Sequence, residues 1–154
     1  MEIHLKKADL TDCESIHQMQ TAGFKALLDK YQDFETSPGA ETLAHIQKRF
    51  EYAQIDHYFI QLHDENIGYI RINRLNENTC HLSQMFILPE YQGNGYAQQA
   101  IRQVELRNPQ AAHWLLDTIR QEPKLCYLYE KMGYKRTGTQ TNIKASMDLV
   151  DYAK

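Results

Sequence analysis

The chain lacks several features that mark common protein classes. Its 3 cysteines, Cys13, Cys80 and Cys126, are widely spaced and include no Cys-x-x-Cys pair, which argues against a disulfide framework and against a zinc site. No stretch approaches the roughly 18 apolar residues of a membrane span, and the first residues lack the apolar core of a signal peptide. The sequence therefore predicts a cytoplasmic protein without a metal and without a membrane partner.

An excess of basic residues is also missing. Lys and Arg number 17 against 20 Asp and Glu, which gives a formal net charge of -3, whereas nucleic-acid-binding domains usually carry a clear positive excess. With 154 residues, 42% of them hydrophobic, the chain has the length and the apolar content of one domain with one core. No repeat or linker interrupts it, so residues 1–154 are predicted to form a single domain that does not bind nucleic acid.

The most informative stretch that is present runs from Phe86 to Ala97 and reads FILPEYQGNGYA. Its apolar run stops at Pro89, glycines follow at Gly93 and Gly95, and a helical pattern begins directly afterwards. Glycine permits a sharp bend and a close backbone approach to a ligand. The first N–H groups of a helix lack internal partners and lie at the positive end of its dipole. Strand, glycine loop and helix start together predict an anion site, with phosphate as the expected anion.

Two common phosphate motifs do not fit this loop. A P-loop needs Lys followed by Ser or Thr after its last glycine, whereas Tyr96 follows Gly95 here. A dinucleotide fingerprint needs three spaced glycines near the start of a βαβ unit, and this loop lies past the middle of the chain. The segment Gln92–Ala97 instead resembles the acyl-coenzyme A pyrophosphate loop of the GNAT family of N-acetyltransferases, which has the pattern Gln/Arg-x-x-Gly-x-Gly/Ala.

A second motif strengthens the resemblance. In the family the loop follows a Val-x-Pro-like strand end, which Ile87-Leu88-Pro89 matches, and a later helix reads Leu-Tyr-Glu-Lys-x-Gly followed by Phe or Tyr. The segment from Leu128 to Tyr134 reads LYEKMGY and matches this second signature closely. Two independent motifs in the family order are much harder to obtain by chance than either alone. The resemblance therefore extends over nearly the whole chain.

Hydrophobic periodicity predicts an order of elements that agrees with the resemblance. A first strand precedes a helix that weakens at Gly23, and Ser37-Pro38 is interpreted as the start of a second helix. Three antiparallel strands, the helix after the glycine loop, a strand at 113–119, a helix closed by Gly133 and a final hairpin follow. The resemblance implies the GNAT fold, an α/β architecture. It has a mixed, mostly antiparallel sheet of about seven strands with helices on both faces and central parallel strands that splay apart.

The strand before the loop is predicted to alternate between two faces of the sheet. One face would carry His81, Ser83, Met85 and Ile87, and the other Cys80, Leu82, Gln84 and Phe86.

The resemblance implies a binding site for acetyl-coenzyme A. Its pantetheine arm is expected to pair with backbone groups of Phe86, Ile87 and Leu88 in the splay, the gap where the two central parallel strands separate. Its pyrophosphate is expected at the loop, mainly through backbone N–H groups, with each charge-assisted hydrogen bond contributing about 1.5–3 kcal/mol. The loop residues are Gln92, Gly93, Asn94, Gly95, Tyr96 and Ala97.

Two residues are candidates for the chemistry. Tyr129 falls where the resembling family often has a general acid, although ordinary core packing with one hydrogen-bond partner is its alternative. His81 is the candidate general base, because the glutamate that relatives often carry on this strand is absent, and a water relay is an equal alternative. Glu122 stands seven residues before the tyrosine, where many relatives have an asparagine that contacts the cofactor arm. The resemblance does not carry that contact over to Glu122.

These features predict an N-acetyltransferase that moves an acetyl group from acetyl-coenzyme A to a primary amine by direct transfer in a ternary complex. No cysteine has a recognisable histidine partner, which disfavours a covalent route. The alternative is a non-catalytic module that binds or senses acyl-coenzyme A. A protein or peptide N-terminus, an amino acid and a small amine all stay open as acceptors. A homodimer also stays open, because dimers are frequent in folds of this kind.

Overall fold

Seven strands form one sheet in the computed structural model, which describes residues 1–154. The strands are β1 (His4–Lys7), β2 (Ile55–Leu62), β3 (Glu65–Asn76), β4 (Thr79–Ile87), β5 (His113–Ile119), β6 (Lys135–Lys144) and β7 (Met147–Ala153). Their order across the sheet is β1-β2-β3-β4-β5-β7-β6. The neighbours β4 and β5 are parallel and every other pair is antiparallel. The predicted mixed, mostly antiparallel sheet is confirmed.

Five α-helices cover both faces of this sheet. They are α1 (Cys13–Gly23), α2 (Lys25–Tyr31), α3 (Leu43–Arg49), α4 (Tyr96–Leu106) and α5 (Pro123–Lys131). Val104 of α4 and Tyr129 of α5 share a core with Ile70 of β3. The adjacent residue of that strand, Tyr69, points to the opposite face and packs in a second core with Ile16 of α1. None of these helices combines the length and the apolar character needed to cross a bilayer.

The predicted weak point of the first helix is a break. Helix α1 ends at Gly23 and α2 begins two residues later, with Phe24 between them. Gly23 lies against β4 so closely that an added Cβ would stand 2.6 Å from the Phe86 ring. The absence of a side chain at Gly23 therefore lets the end of α1 approach the sheet next to the glycine loop.

The predicted start of the second helix is wrong by about one turn. Ser37 and Pro38 open only a short 3-10 turn, Pro38–Ala40, after which Glu41 is extended. Helix α3 starts at Leu43 instead, because the Thr42 side chain accepts a hydrogen bond from the His45 N–H group at 3.2 Å.

The two parallel strands separate as predicted. They pair only at Thr79 with His113, Cys80 with Trp114 and His81 with Leu115. Beyond that point β4 continues to Ile87 without a partner on this side, while β5 pairs with β7 on its other side. The far half of β4 therefore has an open edge that faces β5.

A bulge overturns the predicted alternation along β4. Arg71 of β3 pairs with Gln84, but the next residue, Ile72, pairs with Leu82, so Ser83 is an extra residue. One extra residue moves all later side chains to the opposite face. Accordingly Leu82 shares a core with Ile87, whereas Phe86 lies in the other core. His81, which alternates with Leu82, lies on the same face as Gln84 and Phe86.

Candidate active site

A band of polar side chains crosses the sheet face that lies under α1. It contains Arg71 of β3, His81 and Gln84 of β4, Asp117 of β5 and Asp151 of β7. Arg71 is opposite Gln84, and Asp117 is opposite Asp151. The neighbours of these residues along β3, β5 and β7 point into the other core, which fixes the face on which the band lies. The band therefore spans the point where β4 and β5 separate.

His81 lies at the last paired position before the splay. Its Nδ1 is 2.8 Å from Ser83 Oγ, and that hydroxyl donates to the His81 carbonyl oxygen at 3.3 Å. The hydroxyl thus has lone pairs free to accept from Nδ1–H, and in this tautomer Nε2 carries the lone pair of the ring. Burial lowers the pKa of His81 and outweighs the opposing effect of Asp117. The neutral form of the His81 ring is therefore favoured.

Asp117 was missed by the sequence analysis. It is solvent-exposed in the open splay, yet the walls of the splay surround it closely enough that desolvation raises its pKa, while His81 lowers it in part. A charged residue inside the mostly apolar run HWLLDTI was the available signal, because a carboxylate on a strand expected to be buried needs a partner or an opening. The structure brings it next to the candidate base.

Tyr129 is 6% exposed, and its hydroxyl makes no hydrogen bond within the protein. The buried side-chain polar atoms without partners belong to other residues, His57 and Asn73, so this hydroxyl reaches solvent-accessible space. Burial strongly raises the pKa of Tyr129, and the nearby charge of Asp117 raises it further. The expected single partner of a packed core tyrosine is thus absent, and the hydroxyl is a neutral donor close to Asp117.

Two nearby tyrosines, Tyr127 and Tyr134, are placed differently. Tyr127 is 65% exposed on the outside of α5. The Tyr134 hydroxyl donates to Glu105 at 3.2 Å, although its ring packs edge-on against that of Tyr129 with centroids 6.1 Å apart. Of these three tyrosines, Tyr129 is therefore the one whose hydroxyl is free of hydrogen bonds and lies near the splay.

The glycine loop presents unpaired N–H groups at the start of α4. Gly93 and Gly95 have φ angles of 82° and 80°, and added Cβ atoms would meet nothing within 4 Å. Glycine is therefore required by the left-handed backbone rather than by crowding. No backbone N–H group from Gly93 to Gln98 donates a hydrogen bond within the protein. Asn94 stabilises the loop from inside, since its Nδ2 donates to the Tyr91 carbonyl oxygen at 3.1 Å.

The open edge of β4 leads away from this loop. The Leu88 N–H group donates to the Ile67 carbonyl oxygen of β3 at 2.8 Å. Because backbone groups of an antiparallel strand alternate in direction, Phe86 also faces β3, whereas Ile87 and Met85 face the splay. Gln92 Nε2 donates to the Ile87 carbonyl oxygen at 2.8 Å and so fastens the loop to the strand end. Of the three strand residues expected at the pantetheine arm, the structure thus places only Ile87 on the open edge.

Glu122 connects the start of α5 to the end of α2. Its Oε2 accepts hydrogen bonds from Lys30 Nζ at 2.6 Å and from the Tyr31 hydroxyl at 2.5 Å. The end of α2 is also held by the last hairpin, because Lys144 Nζ donates to the Gln32 carbonyl oxygen at 3.1 Å. Glu122 therefore fixes the end of α2 above α5, and its carboxylate is engaged with protein groups.

No group of three or more His, Cys, Asp or Glu side chains is arranged to hold a metal ion.

Comparisons with known proteins give a consistent picture. A family model described as an acetyltransferase (GNAT) domain matches residues 21–154. No curated protein matches the sequence.

Solved structures share the fold at low sequence identity. A spermidine N-acetyltransferase from Vibrio cholerae in complex with CoA and spermine has a TM-score of 0.78 and 18% identity, over 99% of this chain and 95% of that one. An acetyl transferase from Salmonella typhimurium that modifies the N-terminal serine of a 50S ribosomal subunit protein has a TM-score of 0.77 and 17% identity, over 100% and 95%. An acetyltransferase from Thermus thermophilus has a TM-score of 0.77 and 14% identity, over 100% and 97%.

Proposed function

We propose that this chain, which belongs to the GNAT family of acetyltransferases, moves an acetyl group from acetyl-coenzyme A to a primary amine. The transfer is direct and takes place while both substrates are bound. One juxtaposition carries the proposal: the unpaired N–H groups at the start of α4 adjoin the open edge of β4, and that edge leads to Tyr129, His81 and Asp117.

The loop and the strand edge fit the cosubstrate. The N–H groups from Gly93 to Gln98 would bind the pyrophosphate, because they are unpaired and lie at the positive end of the α4 dipole. Open space above both glycines leaves room for the phosphates. Backbone groups of Ile87 and Met85 would pair with the peptide-like pantetheine arm. Acetyl-coenzyme A would supply an activated acetyl thioester at the polar band.

The acceptor amine must lose a proton before it can attack. For an amine with a pKa of about 10.4, presenting the neutral form at pH 7 costs about 4–5 kcal/mol. His81 is suited to take that proton, because burial keeps it neutral and its Nε2 carries a lone pair. The nearby Asp117 carboxylate would stabilise the imidazolium that results, since its charge favours the protonated ring.

Tyr129 is suited to the opposite role. The departing thiolate needs a proton, and a neutral hydroxyl on α5 can donate one. The raised pKa of Tyr129 keeps the hydroxyl protonated, and the lack of a protein partner leaves it free to donate. Acid and base then stand on either side of the place where the acetyl group would lie.

Binding and turnover can be tested on the purified protein. Calorimetric titration with acetyl-coenzyme A should give saturable binding, and a panel of amines should then produce amine-dependent thiol release. Binding without thiol release for any amine would support the sensing module instead. The Gly95→Val variant should lose acetyl-coenzyme A binding, because valine resists the left-handed backbone that directs the N–H groups.

A matched control is available for the glycine variant. Gly138 of β6 has a φ angle of 98° and an equally uncrowded Cβ direction, but it lies far along the chain from the loop. The Gly138→Val variant carries the same backbone strain and should bind acetyl-coenzyme A like the unmodified protein. Equal affinity in the Gly95 variant would contradict the assignment of the loop.

A further inference from the structure

A buried arginine in the polar band has no acidic partner. Arg71 is only 9% exposed, and its Nη1 donates to the neutral Gln84 Oε1 at 3.0 Å. Three other arginines form ion pairs: Arg49, Arg74 and Arg120. Arg71 forms none. Burying a charge without a direct ion pair is costly, and at Arg71 the carboxylate of Glu41 acts only from a distance.

A chain of hydrogen bonds fixes the position of this guanidinium. Gln84 Nε2 donates to Gln20 Oε1 of α1 at 2.8 Å, and Gln20 Nε2 donates to Glu41 Oε1 at 2.9 Å. The Glu41 carboxylate is already paired with Arg49. Two neutral amides therefore separate Arg71 from the nearest carboxylate of this network, and they orient its side chain without neutralising it.

The donors of Arg71 that remain free form one edge of the guanidinium. The neutral Tyr69 hydroxyl lies near the guanidinium, but by distance and angle Nε and Nη2 make no hydrogen bond within the protein. Neither atom is among the fully buried polar atoms without partners. Both therefore reach accessible space. Nε–H and Nη2–H are parallel and match the two oxygens of a carboxylate. Arg71 and His81 lie on the same face of neighbouring strands, so this edge opens on the side of the sheet where the acceptor would lie.

We propose that Arg71 binds a carboxylate of the acceptor, and that the acceptor is an amino carboxylate such as a free amino acid. This inference rests on the proposed acetyl transfer and names the substrate class for it. The amine end of the acceptor lies at His81 and Asp117, and the carboxylate end lies at Arg71. The band is thus acidic towards β5 and β7 and basic towards β3, which is the charge pattern of a zwitterion.

A polyamine fits this arrangement poorly. Its second cationic group would have to share the cleft with Arg71, and like charges at short range in a partly buried site are unfavourable. Shared fold with a spermidine N-acetyltransferase does not therefore imply a shared acceptor.

Matched acceptors test the inference directly. Thiol release at saturating acetyl-coenzyme A is measured for the common L-amino acids, for their α-amides, and for spermidine. For the best acceptor, the kcat/KM of the acid should exceed that of its amide by about ten- to hundredfold, which corresponds to the loss of a charged hydrogen-bonding partner. The amide has the more easily deprotonated amine, so intrinsic reactivity alone favours the opposite order.

Variants of Arg71 then test whether this residue causes the preference for the acid over its amide. Arg71→Met should reduce the acid-to-amide ratio to one or below while leaving acetyl-coenzyme A affinity in calorimetry unchanged, and Arg71→Lys should retain part of the ratio. Arg71→Gln replaces the methionine variant if that protein does not fold. Arg74→Met is the matched control, because Arg74 lies on the same strand but is paired with Asp56 outside the band. It should keep the full ratio.

The outcomes separate two failures. Amides or spermidine as the best acceptors, or an acid-to-amide ratio that Arg71→Met leaves unchanged, would overturn the assignment of Arg71 while acetyl transfer itself stands. An absence of thiol release with every acceptor would overturn the proposed function, and this inference with it.

Discussion

Replacing Tyr129 with phenylalanine removes only the hydroxyl group, which is the proposed acid, and leaves the ring in place. The hydroxyl makes no hydrogen bond within the protein, so its loss leaves no partner unsatisfied and should change the free energy of unfolding by less than about 1 kcal/mol. The rate effect should be far larger. General acid catalysis contributes about 10²–10⁴-fold, which corresponds to about 3–5 kcal/mol of transition-state stabilisation.

The assay is thiol release with a saturating amine, followed by single turnovers so that product release does not hide a slower chemical step. Tyr129→Phe should lower kcat by the stated factor while the Kd of acetyl-coenzyme A stays the same. Tyr134→Phe is the matched control, because it removes the neighbouring hydroxyl that donates to Glu105. An unchanged kcat in Tyr129→Phe, or equal losses in both variants, would refute the role of Tyr129 as the acid.

Two further predictions concern His57 and Glu122. Burial lowers the pKa of His57 to about 4 from 6.5, so stability that is complete above pH 6.5 should be lost as pH falls through 4, by at most about 3 kcal/mol. Urea unfolding across this pH range should show the loss of stability. The His57→Gln variant should show a flatter dependence of stability on pH, whereas the control His4→Gln, at an exposed position, should not. An equally steep dependence in His57→Gln would contradict the prediction. Glu122→Gln should raise the acceptor KM without changing acetyl-coenzyme A affinity, because Glu122 holds the end of α2 in place. Weaker acetyl-coenzyme A binding in calorimetry would show instead that Glu122 contacts the cofactor arm.

Local sequence patterns predicted the parts of this protein that local geometry determines. The strand at His113–Ile119 and the start of α4 after Gly95 follow from short-range periodicity and from the glycine backbone. The parallel pairing of β4 and β5 follows from the helix that connects them. These features required no knowledge of contacts between distant residues.

Features that depend on pairing between distant segments were not predictable in this way. The extra residue Ser83 is defined by the register against β3, and a strand pattern alone gives no sign of where the partner strand slips. The start of α3 depended on competition between two capping residues, Ser37 and Thr42, each of which caps its own turn. Arg71 looked like an ordinary polar residue of a strand, because its lack of an acidic partner is visible only when the surrounding charges are in place.

The bulge has a direct chemical consequence. Without Ser83 as an extra residue, His81 would point to the same face as Ile87, into the core that contains Tyr129 and Val104. With the bulge, His81 shares the opposite face with Gln84, and Ser83 itself holds the imidazole ring. A single inserted residue therefore places the proposed base on the acceptor side, while Tyr129 approaches the splay from the core on the other side.

Burial acts in the same direction on the proposed acid and the proposed base. Desolvation disfavours the charged form of any titratable group, so it raises the pKa of Tyr129 and lowers the pKa of His81. Both shifts favour the neutral form, which is the proton-donating form of a phenol and the proton-accepting form of an imidazole. The rate of transfer should therefore fall on the acid side, where His81 becomes protonated, and Tyr129 should contribute no alkaline decline near neutral pH. Because Asp117 counteracts the shift of His81, Asp117→Asn should move the acid limb of the kcat/KM profile to lower pH, and a shift to higher pH would contradict this coupling.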